Sequence, residues 1–277
     1  MLASDPLLSV SFICARYSNP DQHLKQRALE LCIDFYVIED VNSRSFHDIA
    51  DAHKCDLFVS MSFDQILKKE FYSHPPLGTI NCHAGMLPFY RGRNVLNWVL
   101  INDEKSFGIT VHYVDKGVDT GDIILQRSYP ICDEDDYASL LDTAHKECPA
   151  VLYDAIKLIS HGSALRIPQE SIHPRGSIYS QRKPGDETID WHQSSREIFN
   201  FIRALTRPGP LACTQLDGNI VQIAKAEMIA DAPAYKCIPG AILSKDPRGF
   251  LVKTGDTFIR IIDWVSDAKL AAGRRFS

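Results

Sequence analysis

The fold of this chain is decided by residues 55–84, which read CDLFVSMSFDQILKKEFYSHPPLGTINCHA. The stretch begins with a β-rich apolar run at 55–62, continues with apolar residues at helical spacing over 63–72, and ends with a second β-rich run at 78–84. Strands that alternate with helices are joined by crossovers and therefore run parallel. The stretch thus predicts an α/β fold with a doubly wound, mostly parallel, Rossmann-like sheet.

The same alternation extends outward on both sides of this stretch. Some segments carry apolar residues at helical spacing, and others are β-rich apolar runs of strand length. The further predicted elements are strands at 9–16, 34–40, 108–114 and 122–131 and helices at 23–33, 45–54, 94–102 and 137–162, the last of them interrupted by Pro149.

The character of the sequence changes after residue 165. Residues 166–190 are rich in Pro, Gly, Ser and charged residues, which is typical of a linker that runs over the surface. Residues 194–205 then predict one amphipathic helix with a Ser cap, and short strands follow, with a hairpin turn at Asp217-Gly218. The predicted organisation is a first domain at 1–165, the linker at 166–190 and a small β-barrel-like, OB-like domain at 191–277.

Charge and hydropathy argue against several classes of protein. The 277 residues carry a formal net charge of −5, whereas a nucleic-acid binder usually shows a basic excess that contacts phosphates. No apolar run reaches the roughly 20 residues that span a bilayer. The N-terminus lacks the basic start and the long apolar region of a signal peptide. We therefore predict a cytoplasmic protein with no membrane partner and no obligate nucleic-acid partner.

The eight cysteines are scattered without a CxxC pair. Their spacing predicts neither a zinc site nor a disulfide framework, and most of them lie beside apolar residues, as buried free thiols do. Cys82 stands between Asn81 and His83, so a Cys–His nucleophile has to be considered. Adjacent residues on a strand point to opposite faces, however, and we predict that Cys82 turns away from both neighbours.

Two polar groups carry the chemistry that the sequence suggests. Asn81 and His83 share one face at the carboxyl end of the predicted strand at 78–84, where open α/β sheets bind ligands. The loop DKGVDTGD at 115–122 adds three carboxylates and two glycines. A neutral His, a carboxylate that holds it and an amide that stabilises an oxyanion are suited to acyl transfer onto a substrate nucleophile.

From spacing alone, other interpretations of these groups stay open. An Asn-x-His pair on a strand is often a structural pair with satisfied hydrogen bonds. The loop at 115–122 is also compatible with a hydrated turn or a weak calcium loop, although its spacing does not fit an EF-hand.

Residues 57–131 closely resemble the folate-dependent formyltransferases. The resemblance is strongest in NCHAGMLPFYRGRNVLNWVLIN (81–102) and GITVHYVDKGVDTGDIILQ (108–126), and it continues more weakly through the C-terminal strands. The family includes methionyl-tRNA formyltransferase, glycinamide ribonucleotide transformylase and the sugar-nucleotide N-formyltransferases. The resemblance implies the formyltransferase fold, 10-formyltetrahydrofolate as the one-carbon donor, and no metal.

The resemblance also implies roles for individual residues. His83 looks like the general acid/base, Asn81 like the stabiliser of the tetrahedral intermediate, and Asp119 like the carboxylate that raises the pKa of the histidine. For Ile66 and Leu67, core packing is an alternative to ligand contact. The residues implied to lie at the folate pocket, with Arg93 near the folate or the acceptor, are Gln65, Ile66, Leu67, Arg93, Asp115, Lys116, Gly117, Val118 and Asp119.

Two acceptor amines compete within the family. A methionyl-tRNA formyltransferase usually carries a Lys/Arg-rich insertion where this chain has the short, mixed-charge segment at 16–31. The stretch at 90–102 is strongly similar to the formyltransferase that acts on UDP-aminoarabinose. We therefore expect a nucleotide-linked amino sugar as acceptor, with tRNA as the alternative, and we allow for a homodimer. A non-catalytic folate-binding regulatory module is the alternative from another class, and the joint presence of Asn81, His83 and Asp119 argues against it.

The number of strands departs from the family pattern. The family normally has four strands before the one that bears Asn-x-His, and three are predicted here. We therefore expect the first strand and helix to be missing and residues 9–16 to pair beside 35–39. Where the first strand belongs, we expect a gap, a substitute segment or a partner chain, with exposed apolar surface beside 57–61 as the physical consequence.

Overall fold

The computed structural model describes residues 2–277. The chain forms two compact units, of which the first comprises the chain up to Arg91 together with Gly108–Ser128 and His145–Ile178. The helices are α1 Gln22–Glu30, α2 Arg44–His53, α3 Lys69–Tyr72, α4 Val95–Ile101, α5 Tyr137–Ser160 and α6 Ser195–Arg203. The strands are β1 Phe12–Ala15, β2 Asp34–Val37, β3 Phe58–Met61, β4 Thr79–His83, β5 Arg91–Gly92, β6 Ser106–Tyr113, β7 Ile123–Pro130, β8 Ile178–Tyr179, β9 Ala212–Leu216, β10 Asn219–Met228, β11 Ile242–Asp246, β12 Gly249–Lys253 and β13 Phe258–Val265.

The predicted α/β fold is confirmed in the N-terminal half. β1 pairs with β2 and β3 pairs with β4, both in parallel, as crossover helices between them require. The second sheet has the strand order β3-β4-β6-β7, and β6 is antiparallel to β4. The central strand β4 is largely buried, and its Ile80 has no exposed surface. This strand carries the polar residues described below.

The strands of this half form two sheets instead of one. As expected, residues 12–15 pair beside residues 34–37, and among residues 2–277 no strand pairs with the second edge of β3. Val59 and Met61 on β3 are 42% and 46% exposed, although their register partners on β4 are buried. The expected apolar surface beside 57–61 is therefore present. Near the ends of β1 and β3, Nε of Arg16 donates to the Ser62 carbonyl oxygen at 2.7 Å.

The prediction of a helix over 63–72 is wrong for residues 63–68, because α3 begins only at Lys69. The side chain of Gln65 accepts from the backbone N–H of Val41 at 3.0 Å and donates to the carbonyl of Ile38 at 3.2 Å. Asn42 accepts from the backbone N–H of Lys68 at 2.7 Å. These bonds tie 65–68 to the loop after β2, which competes with helix formation. The apolar spacing that suggested a helix instead reflects packing, since Leu67 and Phe71 join the same apolar cluster.

The interruption predicted at Pro149 is also absent, because α5 is continuous from Tyr137 to Ser160. No helix among residues 2–277 is long and apolar enough to cross a membrane.

The second compact unit comprises Gly92–Phe107, Tyr129–Ala144 and Tyr179–Ser277. Its antiparallel sheet has the strand order β11-β12-β13-β10-β9, and this confirms the predicted small β-rich domain. Ser194 and Glu197 form a capping box at the start of α6. Asp217 and Gly218 both have positive φ in the hairpin turn between β9 and β10, as the predicted turn requires.

Candidate active site

The strand β4 places Asn81 and His83 on one face. Cys82 faces the other way, with Sγ 3.7 Å from the carbonyl oxygen of Cys148 on α5. Contact with Cys148 and burial both raise the pKa of the Cys82 thiol, so that a reactive thiolate is disfavoured. The structure therefore supports the predicted inert role for Cys82.

Asp119 reaches this polar face from the loop after β6. Its Oδ2 lies 3.6 Å from Nδ1 of His83, and its Oδ1 lies 3.4 Å from Nδ2 of Asn81. The side chains of His83 and Asp119 are only 9% and 13% exposed. The structure thus brings together the three residues that the sequence suggested as catalytic.

A fourth polar residue, His112, was missed by the sequence reasoning. It lies directly opposite Asn81 in the β4–β6 register, and its side chain is 3% exposed. Its Nε2 lies 3.4 Å from Oδ1 of Asp119 and 3.3 Å from Nδ2 of Asn81. Its Nδ1 lies 2.7 Å from the Tyr113 carbonyl oxygen, which can only accept, so in neutral His112 the proton is on Nδ1. A histidine on the inward face of a predicted strand was the available signal.

The imidazole of His83 is oriented by the backbone of the loop that follows β4. Its Nε2 lies 2.6 Å from the Tyr90 carbonyl oxygen, so Nε2 carries the proton of the neutral ring and Nδ1 is the basic nitrogen. A Cβ at Gly85 would collide with Nε2 and would lie 2.6 Å from the Tyr90 oxygen, which explains why glycine stands there. The basic nitrogen is therefore the one that faces Asp119.

Burial lowers the pKa of His83 below its usual value. The charge of Asp119 and the hydrogen bond to the Tyr90 carbonyl both oppose this shift, whereas His112 adds to it. Asp119 therefore acts on the histidine in the direction that the resemblance implies, but the cost of desolvation outweighs its effect. His83 is consequently neutral near pH 7 and able to accept a proton.

The amide of Asn81 is oriented with its nitrogen toward Asp119 and His112. A carboxylate accepts and never donates, so this orientation follows from the position of Asp119. Both distances, 3.4 and 3.3 Å, lie at the long end of the hydrogen-bond range. The Nδ2 donor is thus directed at Asp119 and His112 and is engaged only by long hydrogen bonds.

Apart from Arg93, the residues implied for the folate pocket lie in two loops of the first unit. In the segment at 65–67, the Gln65 side chain is bonded to backbone groups and Ile66 is 77% exposed. In the segment at 115–119, Asp115 Oδ1 accepts from Gly117 N at 3.0 Å and from Thr120 Oγ1 at 2.5 Å, and Val118 is 51% exposed. Both loops combine a fixed backbone with exposed apolar side chains, which suits contact with a flat ring. Their role in folate binding stays a prediction.

Arg93 belongs to the second compact unit. It is exposed, and its Nη1 donates to Oε1 of Gln181 at 3.2 Å. Its implied position near the folate or the acceptor stays a prediction, as does the role of Lys116. Among residues 2–277, no group of three or more His, Cys, Asp or Glu side chains could hold a metal ion.

The α/β sheet and the buried His–Asp–Asn cluster have the groups that acyl transfer requires. Sequence models identify the family of the chain: residues 19–156 match the formyl transferase model, and residues 182–273 match the formyl transferase C-terminal domain model. The chain belongs to the formyl transferase family. It is a folate-dependent formyltransferase that uses formyl-tetrahydrofolate, as the resemblance implied.

Two curated relatives illustrate the range of this family. The chain is 31% identical over 254 residues to a methionyl-tRNA formyltransferase of Pelotomaculum thermopropionicum, which covers 92% of this chain and 78% of the relative. It is 34% identical over 225 residues to the bifunctional polymyxin resistance protein ArnA of Wigglesworthia glossinidia brevipalpis, with 81% of this chain and 34% of the relative covered.

Two solved structures share the fold. The N-formyltransferase from Helicobacter canadensis, in complex with folinic acid and dTDP-3-aminofucose, has a TM-score of 0.62 and 23% identity, with 86% of this chain and 82% of that chain covered. HypX from Aquifex aeolicus, in complex with tetrahydrofolic acid, has a TM-score of 0.62 and 19% identity, with 95% of this chain covered. This chain spans somewhat less than half the length of HypX, with 45% of that chain covered.

Proposed function

We propose that this chain transfers the formyl group of 10-formyltetrahydrofolate to the amine of a nucleotide-linked amino sugar, with Asn81, His83 and Asp119 as catalytic residues. The observation that supports the catalytic roles is the buried imidazole whose basic Nδ1 faces a carboxylate at 3.6 Å. That distance is too long for a direct hydrogen bond, so the basic nitrogen is not blocked by Asp119.

The chemistry follows from the hydrogen-bonding capacity of these groups. As the acceptor amine attacks the formyl carbon, a C–N bond forms and Nδ1 of His83 accepts the proton that the amine loses. The charge of Asp119 stabilises the imidazolium, and Nδ2 of Asn81 donates to the oxygen on which negative charge develops. When the bond to the folate nitrogen breaks, His83 returns the proton to that leaving nitrogen.

The assignment of a small acceptor rests on the charge of the catalytic region. Residues 1–165 contain 14 Lys and Arg against 23 Asp and Glu. An acidic surface repels a polyanion, because phosphate contacts supply most of the affinity for nucleic acid. A nucleotide sugar presents only two phosphates, and a few local donors are enough to bind it.

Methionyl-tRNA is the second candidate acceptor, and two observations favour it. One relative, at 31% identity, is a methionyl-tRNA formyltransferase. In addition, residues 191–277 contain 12 Lys and Arg against 8 Asp and Glu, so the C-terminal domain is basic although the chain is acidic. A charge asymmetry between the two parts of a chain is a feature that nucleic-acid-binding proteins also show.

The test is a direct comparison of acceptors. The wild-type chain is supplied with 10-formyltetrahydrofolate and either a panel of UDP- and dTDP-linked amino sugars or initiator Met-tRNA, and formylated products are measured by mass spectrometry. We expect turnover with a nucleotide amino sugar and only weak, salt-sensitive tRNA binding in a gel-shift titration. Tight tRNA binding with formylation would overturn the sugar assignment, and folate binding without turnover on any amine would support the non-catalytic alternative.

A further inference from the structure

One linker side chain contacts the backbone of the loop that carries Asp119. Gln169 begins a short 3-10 turn, Gln169–Ser171, and is only 3% exposed. Its Nε2 donates to the carbonyl oxygens of Asp119 and Gly121, both at 2.8 Å. The two residues that it joins to the linker are about 50 positions away in the sequence.

The oxygen of the same amide also forms two hydrogen bonds. Oε1 of Gln169 accepts from Arg91 Nε at 3.0 Å and from Nη2 at 2.6 Å. Nη1 of Arg91 donates to the Arg175 carbonyl oxygen at 3.0 Å, and Arg91 itself is 9% exposed. A glutamine amide offers two donor hydrogens and an oxygen with two lone pairs, and all four are used here. The amide can therefore take only one orientation.

The loop at 115–121 needs such support because its conformation is unfavourable. Asp119 has φ +54°, in the left-handed region that a residue with a Cβ adopts at a cost of about 1 kcal/mol or more. A Cβ at Gly121 would collide with the Tyr113 carbonyl oxygen, so the chain passes very close to β6 there. The bonds made by Asp115 hold Gly117 and Thr120, and Gln169 binds the carbonyls of Asp119 and Gly121.

We infer that Gln169, oriented by Arg91, is a positioning residue that fixes Asp119 against His83 and thereby sets the rate of formyl transfer. The inference rests on the proposed roles of Asp119 and His83. A displacement of Asp119 by about 1 Å is enough to lower a rate by on the order of 10²-fold. The linker is therefore part of the catalytic apparatus and does more than connect two domains.

The decisive variant is Gln169→Glu. It removes the hydrogen bonds of the amide nitrogen and leaves those of the amide oxygen in place. The carboxylate keeps its acceptors for Arg91, so the linker stays attached, but it places an oxygen against the carbonyls of Asp119 and Gly121. We expect kcat to fall by on the order of 10²-fold, with little change in the melting temperature. Gln169→Met should lower kcat as well, because methionine has a similar volume but cannot form these hydrogen bonds.

Gln22→Glu is the matched control, because the Gln22 amide also donates to a carbonyl oxygen, that of Pro20 at 3.1 Å, but is exposed. We expect this variant to have wild-type kcat. A wild-type kcat in Gln169→Glu with the fold intact would overturn the inference, because it would show that only the attachment to Arg91 matters.

A double-mutant cycle makes the test independent of folding. In the Asp119→Asn background, which lacks the charge that Gln169 is inferred to position, Gln169→Glu should cause little further loss of kcat. Losses that multiply would indicate a general structural role and would overturn the inference. A wild-type kcat in Asp119→Asn alone would instead contradict the proposed function, so the two failures are distinguishable.

The pH profile gives a second readout. His83 is faced by Asp119 from the loop and by His112 from β6, and the charge of Asp119 raises its pKa. If Asp119 is displaced, the pKa of His83 falls, and the acid limb of kcat/KM should move to lower pH in Gln169→Glu. An unchanged acid limb together with an unchanged kcat would contradict the inference.

Discussion

The proposed catalytic face, which β4, β6 and the loop after β6 form, differs in construction from the C-terminal sheet. The catalytic face holds few polar side chains, Asn81, His83, His112 and Asp119, at separations of 3.3–3.6 Å. The C-terminal sheet holds a continuous apolar core around residues such as Phe250 and Ile261, which have no exposed surface. Under the proposed function, the first region moves a proton, whereas the second contributes stability. Substitutions should therefore separate activity from stability.

The largest effect is expected at the catalytic face. His83→Ala and Asp119→Ala should each lower kcat by ~10²–10⁴-fold, because a positioned acid/base or its charged partner is lost. Both variants should retain a wild-type circular-dichroism spectrum and a similar melting temperature. A purified His83→Ala enzyme with near-normal kcat would show that the proton is moved by another group.

In the C-terminal sheet, Phe250→Ala should cost about 3–5 kcal/mol of unfolding free energy. Phe250 is fully buried and its ring lies 4.8 Å from the Trp264 ring, centroid to centroid, in an edge arrangement. Urea unfolding is the measurement, and Ile220→Ala on the same sheet is the control, since Ile220 is 63% exposed. A cost near that of the control would mean that this core is not the source of stability.

A smaller effect is expected from His112→Gln, which tests what His112 contributes to the site. His112 lowers the pKa of His83, so replacing it with Gln should raise that pKa and move the acid limb of kcat/KM to higher pH. Because neutral His83 is the active form in the proposed mechanism, the loss of rate on acidification should begin at a higher pH than in the wild type. An acid limb that stays in place would show that His112 acts only through packing.

The smallest effect is expected at the exposed edge of β3. Val59→Thr and Met61→Gln replace apolar side chains that are nearly half exposed, so each should change the unfolding free energy by less than about 0.5 kcal/mol. Removing apolar surface from an unpaired strand edge should at the same time reduce aggregation, measured by light scattering. A large loss of stability would indicate that this surface is covered in the folded protein.

Most of the fold could be predicted because its signals are local. The period of apolar residues distinguishes β4 from α4, and the Asp217-Gly218 turn and the Ser194 cap depend on one or two residues each. The prediction was wrong at 63–68, where side chains of the loop after β2 and Gln65 form hydrogen bonds that no local period reveals. Half of the catalytic face was predictable in the same way, since Asn81 and His83 are two residues apart on one strand.

The sequence by itself determined which residue types could perform the chemistry and that Asn81 and His83 share a face, because alternation along a strand is a property of the backbone. Only the tertiary structure decided which nitrogen of His83 is basic, that His112 joins the site, and that Gln169 holds the Asp119 loop. The first of these facts depends on a hydrogen bond to a carbonyl only 7 residues away. The other two depend on the direction of hydrogen bonds between segments about 30 to 50 residues apart. Such directions follow from how the strands and loops pack, and no spacing within a single segment encodes them.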